Sequence, residues 1–159
     1  MQREPATPFH VRPAASADLD AVAALRAALW PEASVAAHRA EAAATIAGTP
    51  ASTLPLVILV AEASGRIAGF AEVGLRSHAD GCDPRRPVGY LEGWFVEPDQ
   101  RRRGIGRALV AAAEDWARGQ GCREMASDTW ADNAPSQRAH AALGFAEVDR
   151  CVTYRKALW

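Results

Sequence analysis

One lysine, Lys156, is all that a chain of 159 residues carries, so its positive charge rests almost wholly on arginine. Acidic side chains outnumber basic ones, 19 to 18, and leave a formal charge of −1. Aromatic residues are sparse, at 7%. A protein that grips nucleic acid or a membrane surface is usually basic, and single strands are held by aromatics set among the cations. Neither trait is present, so no nucleic-acid and no membrane partner is expected. Cysteine is scarce too. Cys82, Cys122 and Cys151 lie far apart, are odd in number and show no Cys-x-x-Cys or Cys/His spacing. That pattern excludes a disulfide framework and a zinc site, and no metal is expected. The longest apolar run, "LPLVILVAEA", falls well short of the ~20 residues that span a bilayer. The opening "MQREPATPF" lacks the apolar stretch of a signal peptide. These absences together predict a reduced, cytoplasmic protein.

What is there is globular, 49% hydrophobic and 23% charged, and suits one domain over residues 1–159. "FHVRPA" predicts a first strand. Ser16 suits the N-cap of a helix whose apolar stripe is Leu19, Val22, Leu25 or Arg26, and Leu29, stopped by Pro31. An alanine-rich second helix is expected from Ser34 to Ala47. "LPLVILVAEA" and "IAGFAEVGL" read as strands joined by the hairpin connector "SGR", and "RSHADGCDPRRP" as a surface loop. "VGYLEGWFV" is the next strand. The helix from Gly104 to Gly119 presents Ile105, Ala108, Leu109, Ala112, Ala113 and Trp116 on one stripe, with Glu114 and Arg118 paired outside. "CREMASD" predicts a strand, "NAPSQRAHAAL" a helix, and "FAEVDRCVTYRKAL" one or two closing strands. The fold class is α/β (α+β), a mixed central sheet flanked by helices in the order β-α-α-β-β-β-α-β-α-β(-β). Its strand–helix–strand unit requires one parallel pair.

Between the "WFV" strand and its helix stands "VEPDQRRRGIGRALV". A helix start has N–H groups without intrahelical partners and the positive end of the helix dipole, so it suits an anion. Gly104 and Gly106 let a phosphate approach the main chain, and Arg101, Arg102, Arg103 and Arg107 add charge. The Walker spacing is absent, as is the third glycine of a dinucleotide fingerprint. Gly-x-Gly alone is weak, and three arginines are more often a solvated helix start.

Followed by "NAPSQRAHAALGF", however, this stretch resembles the GCN5-related N-acetyltransferase superfamily. There the turn that matches Arg101-x-x-Gly104-x-Gly106 binds the pyrophosphate of acetyl-CoA, and an Asn-initiated helix ending in Gly-Phe follows. The resemblance implies acetyl-CoA as co-substrate, with residues Arg102, Arg103, Gly104, Ile105, Gly106 and Arg107 on the pyrophosphate. Main-chain groups of Trp94, Phe95 and Val96 would hold the pantetheine arm. Asn133 suits a helix N-cap, and the matching family residue often touches the cofactor as well; both roles stay open.

"LEGWFVEP", "GCREMASDT", "NAPSQRAHAALGF", the closing "VTYRKAL" and "LW" at the end of the first helix are together similar to the aminoglycoside 6′-N-acetyltransferases. The likeness covers nearly all of the chain. It implies a polycationic aminoglycoside as acceptor, bound by Trp30, Glu92, Asp128 and Asp149. His78 stands where close relatives carry tyrosine, and the resemblance implies that it too lines the drug pocket. Carboxylates and flat side chains are the chemistry such a ligand needs. Glu92 precedes Trp94 by two, which on a regular strand puts both on one side of the sheet. Asp128 ends the following strand, where parallel sheets place ligands.

An alkylammonium cannot attack a thioester until it loses a proton, so a carboxylate must take it. Asp128 is the first candidate, and Glu92 through water the second. A main-chain N–H on the 94–96 strand is the natural donor to the carbonyl oxygen as it gains charge. Many members of the superfamily have a tyrosine acid where this chain has His140, and a leaving thiol of pKa about 8.5 needs little help. Direct transfer is expected, since none of the cysteines has a histidine partner in the catalytic stretch. The alternatives are an acetyltransferase of another amine, such as a polyamine or a peptide N-terminus, and a non-catalytic acetyl-CoA sensor. An RNA-binding use of the arginine run is opposed by the charge balance. A homodimer is expected by analogy with the family.

Overall fold

The apolar alternation that follows Pro55 builds the middle of a sheet. In the computed structural model, which describes residues 8–159, five strands lie side by side in sequence order: β1 (Phe9–Pro13), β2 (Leu56–Ala63), β3 (Arg66–Arg76), β4 (Val88–Val96) and β5 (Met125–Ser127). The first four are antiparallel neighbours. The last, β5, runs parallel to β4, as the helix between them requires. The N-terminal stretch from which the lack of a signal peptide was read lies, through residue 7, outside the described residues.

Four helices cover the sheet: α1 (Leu19–Leu29), α2 (Val35–Ile46), α3 (Ile105–Gly119) and α4 (Ala134–Ala142). Ser34 caps α2 by accepting the Ala37 N–H at 3.1 Å. Ser16 does not cap α1. It opens a 3-10 turn, and Asp18 ends that turn just before the helix. Asp18 accepts the Ala15 N–H at 2.8 Å and pairs with Arg12 of β1 at 2.6 Å. A carboxylate that also neutralises a neighbouring cation is the stronger acceptor, so the chain settles on it.

Strand alternation sends side chains to two cores. On one face Leu59, Ala61, Ala71, Val73 and Leu91 meet Ile105, Leu109 and Ala113 of α3. On the other, Ile58, Val60 and Phe70 meet Val22 and Leu25 of α1 and Ala42 of α2. Each fully buried Leu, Ile or Phe contributes about 1.5–3 kcal/mol through lost contact with water. The β2–β3 hairpin turns on Ser64 and Gly65, both at positive φ, which suits the twist of its strands.

The end of the chain departs from its expectation. Residues 145–159 form no strand. Val148 leans over Gly81 in the 77–87 loop, and the backbone beyond it pairs with neither outer strand of the sheet, β1 or β5. Val152, Tyr154, Leu158 and Trp159 are all exposed. Among the described residues no helix is long and apolar enough to cross a membrane.

Candidate active site

The site forms where β4 is irregular. Glu72 of β3 pairs with Gly93 and Val73 pairs with Leu91, so Glu92 is an extra residue in β4. A bulge of this kind bends its strand and reverses the alternation beyond it. Gly93 consequently faces α1, so close that a Cβ there would stand 2.6 Å from the Trp30 ring. Trp94 faces the other way, against Gly106 of α3 and the His140 ring at 4.8 Å. Glu92 lies with Trp30 in a cleft on the α1 face. Glu92 and Trp94 are thus on opposite sides of the sheet, contrary to the reading from their spacing, because the bulge falls between them.

The bulge also marks a parting of strands. β5 pairs with β4 only at Gly89, Tyr90 and Leu91, so from Glu92 onward the β5 side of β4 is open. Glu97 donates to Ala68 O at 2.9 Å. The alternation of an antiparallel ladder then turns the main chain of Phe95 toward β3 and those of Trp94 and Val96 toward the open side. Trp94 and Val96 keep their expected availability there; Phe95 spends its main-chain groups within the sheet. Arg101 bonds Val96 O at 2.9 Å, which leaves the Val96 N–H on that side.

The helix after this open edge starts as an anion cradle. Gly104 sits at φ 85°, a left-handed turn that glycine adopts without strain, and nothing lies within 4 Å of where its Cβ would stand. The first bond into α3 runs from Ala108 N–H to Gly104 O at 3.0 Å. The N–H groups of Ile105, Gly106 and Arg107 come before it and have no intrahelical acceptor. Arg102 is exposed beside them, whereas Arg103 bonds Gln100 and Arg107 reaches Ala142 O. Open volume, free donors and surplus arginines fit a pyrophosphate.

Across the sheet, the α1 face carries a cleft of about 460 Å³. Trp30, Glu92 and Asp128 line it together with Arg26, Glu41, Glu72 and Arg76, to which the sequence reading assigned no role in the site. Tyr90 donates its hydroxyl to Asp128 Oδ1 at 2.9 Å. Burial, and then the bond to Asp128, push that hydroxyl up to about 12, so it stays a donor throughout the physiological range. Arg76 pairs with Glu92 at 2.8 Å and lies over the Tyr90 ring. At the floor, Arg26 bonds both Glu72 and Glu41. Burial raises the Glu72 carboxyl while Arg26 opposes it. A buried pair of this kind fixes geometry more than it adds stability, and here it ties α1 to β3. The signals were present as Tyr90-x-Glu92 on one strand, and as Glu72 and Arg26 on otherwise apolar faces.

Two expected residues stay outside the cleft. His78 is exposed in the 77–87 loop, bonded to Ser77 at 3.2 Å. Asp149 is exposed in the closing segment and accepts its neighbour's N–H at 2.7 Å. Asn133 caps α4, taking the Ser136 N–H at 3.2 Å. His140 has both ring nitrogens engaged, with Ser136 O at 2.8 Å and Ser127 Oγ at 2.9 Å, and so fastens α4 to β5. Among the described residues no group of three His, Cys, Asp or Glu side chains is set to hold a metal ion.

Known proteins resemble the chain over nearly its whole length. Residues 21–145 match the model of the acetyltransferase (GNAT) family. The chain is 43% identical over 148 residues to an aminoglycoside N(6′)-acetyltransferase type 1 of Klebsiella aerogenes, covering 93% of this chain and 96% of that one. It is 46% identical over 142 residues to the enzyme of the same description from Serratia marcescens, covering 89% and 94%. Among solved structures, AAC(6′)-Iy in complex with the bisubstrate analog CoA-S-monomethyl-acetylneamine superposes with a TM-score of 0.85 at 38% identity, over 95% of this chain and 99% of that one.

Proposed function

The chain belongs to the acetyltransferase (GNAT) family, and from that premise we propose that it transfers the acetyl group of acetyl-CoA to the 6′-amine of aminoglycoside antibiotics. The reading rests above all on one arrangement: an anion cradle at Gly104–Arg107 and a carboxylate cleft on the opposite face meet where β4 and β5 part. A long anionic donor and a polycationic acceptor reach the same opening from two sides. Arg102, Arg103, Gly104, Ile105, Gly106 and Arg107 hold the pyrophosphate; the outward main chains of Trp94 and Val96 hold the pantetheine arm. Trp30, Glu92 and Asp128 receive the drug.

Asp128 takes the ammonium proton. Tyr90 fixes one carboxylate oxygen and leaves the other for the amine. The neutral nitrogen bonds to the thioester carbon, the C–S bond breaks, the nitrogen gives its second proton to solvent, and the thiolate collects one from solvent. The outward N–H of Trp94 or Val96 steadies the carbonyl oxygen as its charge grows. The protein's free cysteines suit a cytoplasmic enzyme. Given acetyl-CoA, it should acetylate drugs with a 6′-amine, such as kanamycin, tobramycin and amikacin, and spare 6′-hydroxyl analogues. Turnover on a polyamine or a peptide N-terminus alone would replace the acceptor in this account. Acetyl-CoA binding without transfer to any amine would make the protein a sensor.

We also infer a second copy of the chain as partner. The support is residues 146–159, where Val148, Val152, Tyr154, Leu158 and Trp159 are all exposed. Large exposed apolar surface of this kind is normally covered. Asp149 lies on this segment, so any contact it makes with the drug belongs to the assembled dimer. Sedimentation should give twice the 16.9 kDa of the chain. A monomer at all concentrations would remove this partner.

A further inference from the structure

A cleft meant for ammonium groups contains a cation of its own. Arg76 is the last residue of β3, and its guanidinium holds Glu92 side-on, with Nη2 at 2.8 Å from one oxygen and Nε at 3.3 Å from the other. Its Cζ lies 3.3 Å from the centre of the Tyr90 ring. Carboxylate and aromatic face are the two surfaces that recognise an organic ammonium, and Arg76 covers both. The other carboxylates are committed: Glu72 and Glu41 to Arg26, and one oxygen of Asp128 to Tyr90.

Resting on the acceptor assigned above, we propose that Arg76 is a resident cation. It occupies the ammonium subsite of Glu92 and Tyr90 in the free protein, a drug ammonium displaces it, and it thereby sets affinity and charge selectivity. The side chains permit this exchange. Arg76 is 44% and Glu92 31% exposed, and Arg76 borders the exposed 77–87 loop, so the guanidinium can turn into water. An exposed ion pair and a cation–π contact are each weak. Displacement thus costs a few-fold to about thirtyfold in affinity, enough to tune the enzyme without blocking it. A ligand with one ammonium gains little over the resident arginine. One with four or five gains at other points of the cleft and wins.

Kinetics and NMR test this together. Arg76→Gln should lower KM for the drug by about three- to thirtyfold, with the change carried in KM. Arg76→Lys, which restores the charge, should return KM toward the starting value. If Arg76 instead only braces Glu92, Arg76→Gln raises KM and the proposal fails. In the unmodified protein the Arg76 Nε–H resonance should be shifted upfield by the Tyr90 ring and should lose that shift on saturation with drug. An unchanged resonance in the drug-bound protein would overturn the proposal even if the variants did not fold. Absence of aminoglycoside acetylation by the unmodified enzyme defeats the acceptor assignment and this inference together; normal acetylation with a raised or unaltered KM in Arg76→Gln defeats this inference alone.

Discussion

Asp128→Asn is expected to lower kcat by about 10²–10⁴, the usual loss when a positioned general base is removed. The substitution is mild in structural terms. Asparagine keeps a carbonyl oxygen for the Tyr90 hydroxyl, which donates to Asp128 at 2.9 Å, so the cleft retains its shape while losing its proton acceptor. The deficit should depend on pH with a definite sign. At neutral pH the amine is protonated and needs the carboxylate; as the pH rises, more amine arrives neutral and the variant recovers. Stopped-flow or steady-state kinetics from neutral to alkaline pH would show the gap narrowing. If Asp128→Asn left kcat and the pH profile intact and raised only KM, Asp128 would be a binding residue. The proton would then pass to Glu92 through water.

The second large effect belongs to the donor side. Gly106→Val should weaken acetyl-CoA binding by about tenfold to a hundredfold, the worth of one charge-assisted hydrogen bond at about 1.5–3 kcal/mol. Gly106 is the better of the two glycines to change. Gly104 needs a positive φ, so valine there strains the turn as well as filling it. At Gly106 a new Cβ meets Trp94 at 3.6 Å, an ordinary contact, and the helix should form as before. The added branches would crowd the free N–H groups at the start of α3. Calorimetry on a variant of unchanged circular dichroism and Tm should find the loss. Undiminished affinity in such a variant would place the pyrophosphate elsewhere.

What could be read from the residues alone follows from how local each signal is. The α3 stripe and the Gly104-x-Gly106 turn declare themselves within a few positions, because helix periodicity and the free N–H groups of a helix start are properties of neighbours in sequence. The parallel pairing of β4 and β5 followed from the helix between them. The sides of Glu92 and Trp94 could not be read, since a bulge depends on how β3 and β4 align across the sheet rather than on either strand. Tyr90 and Arg76 escaped for a related reason. Tyr90 acquires its role from Asp128 just past the end of β5, and Arg76 acquires its role from both Glu92 and Tyr90 on β4, contacts that exist only once three strands lie together. At the closing segment the apolar residues were legible, and their failure to pair with the open outer edge of β5 was not.

The central claim is that this chain moves an acetyl group from acetyl-CoA to one particular nitrogen of an aminoglycoside. Its most direct test is to determine, by mass spectrometry and two-dimensional NMR of the purified product, where the acetyl group sits after the enzyme has acted on a kanamycin-type drug. The account predicts a single acetyl group, on the 6′-nitrogen. An acetyl group on any other ring nitrogen, or an unmodified drug recovered from an enzyme that binds acetyl-CoA, would contradict it.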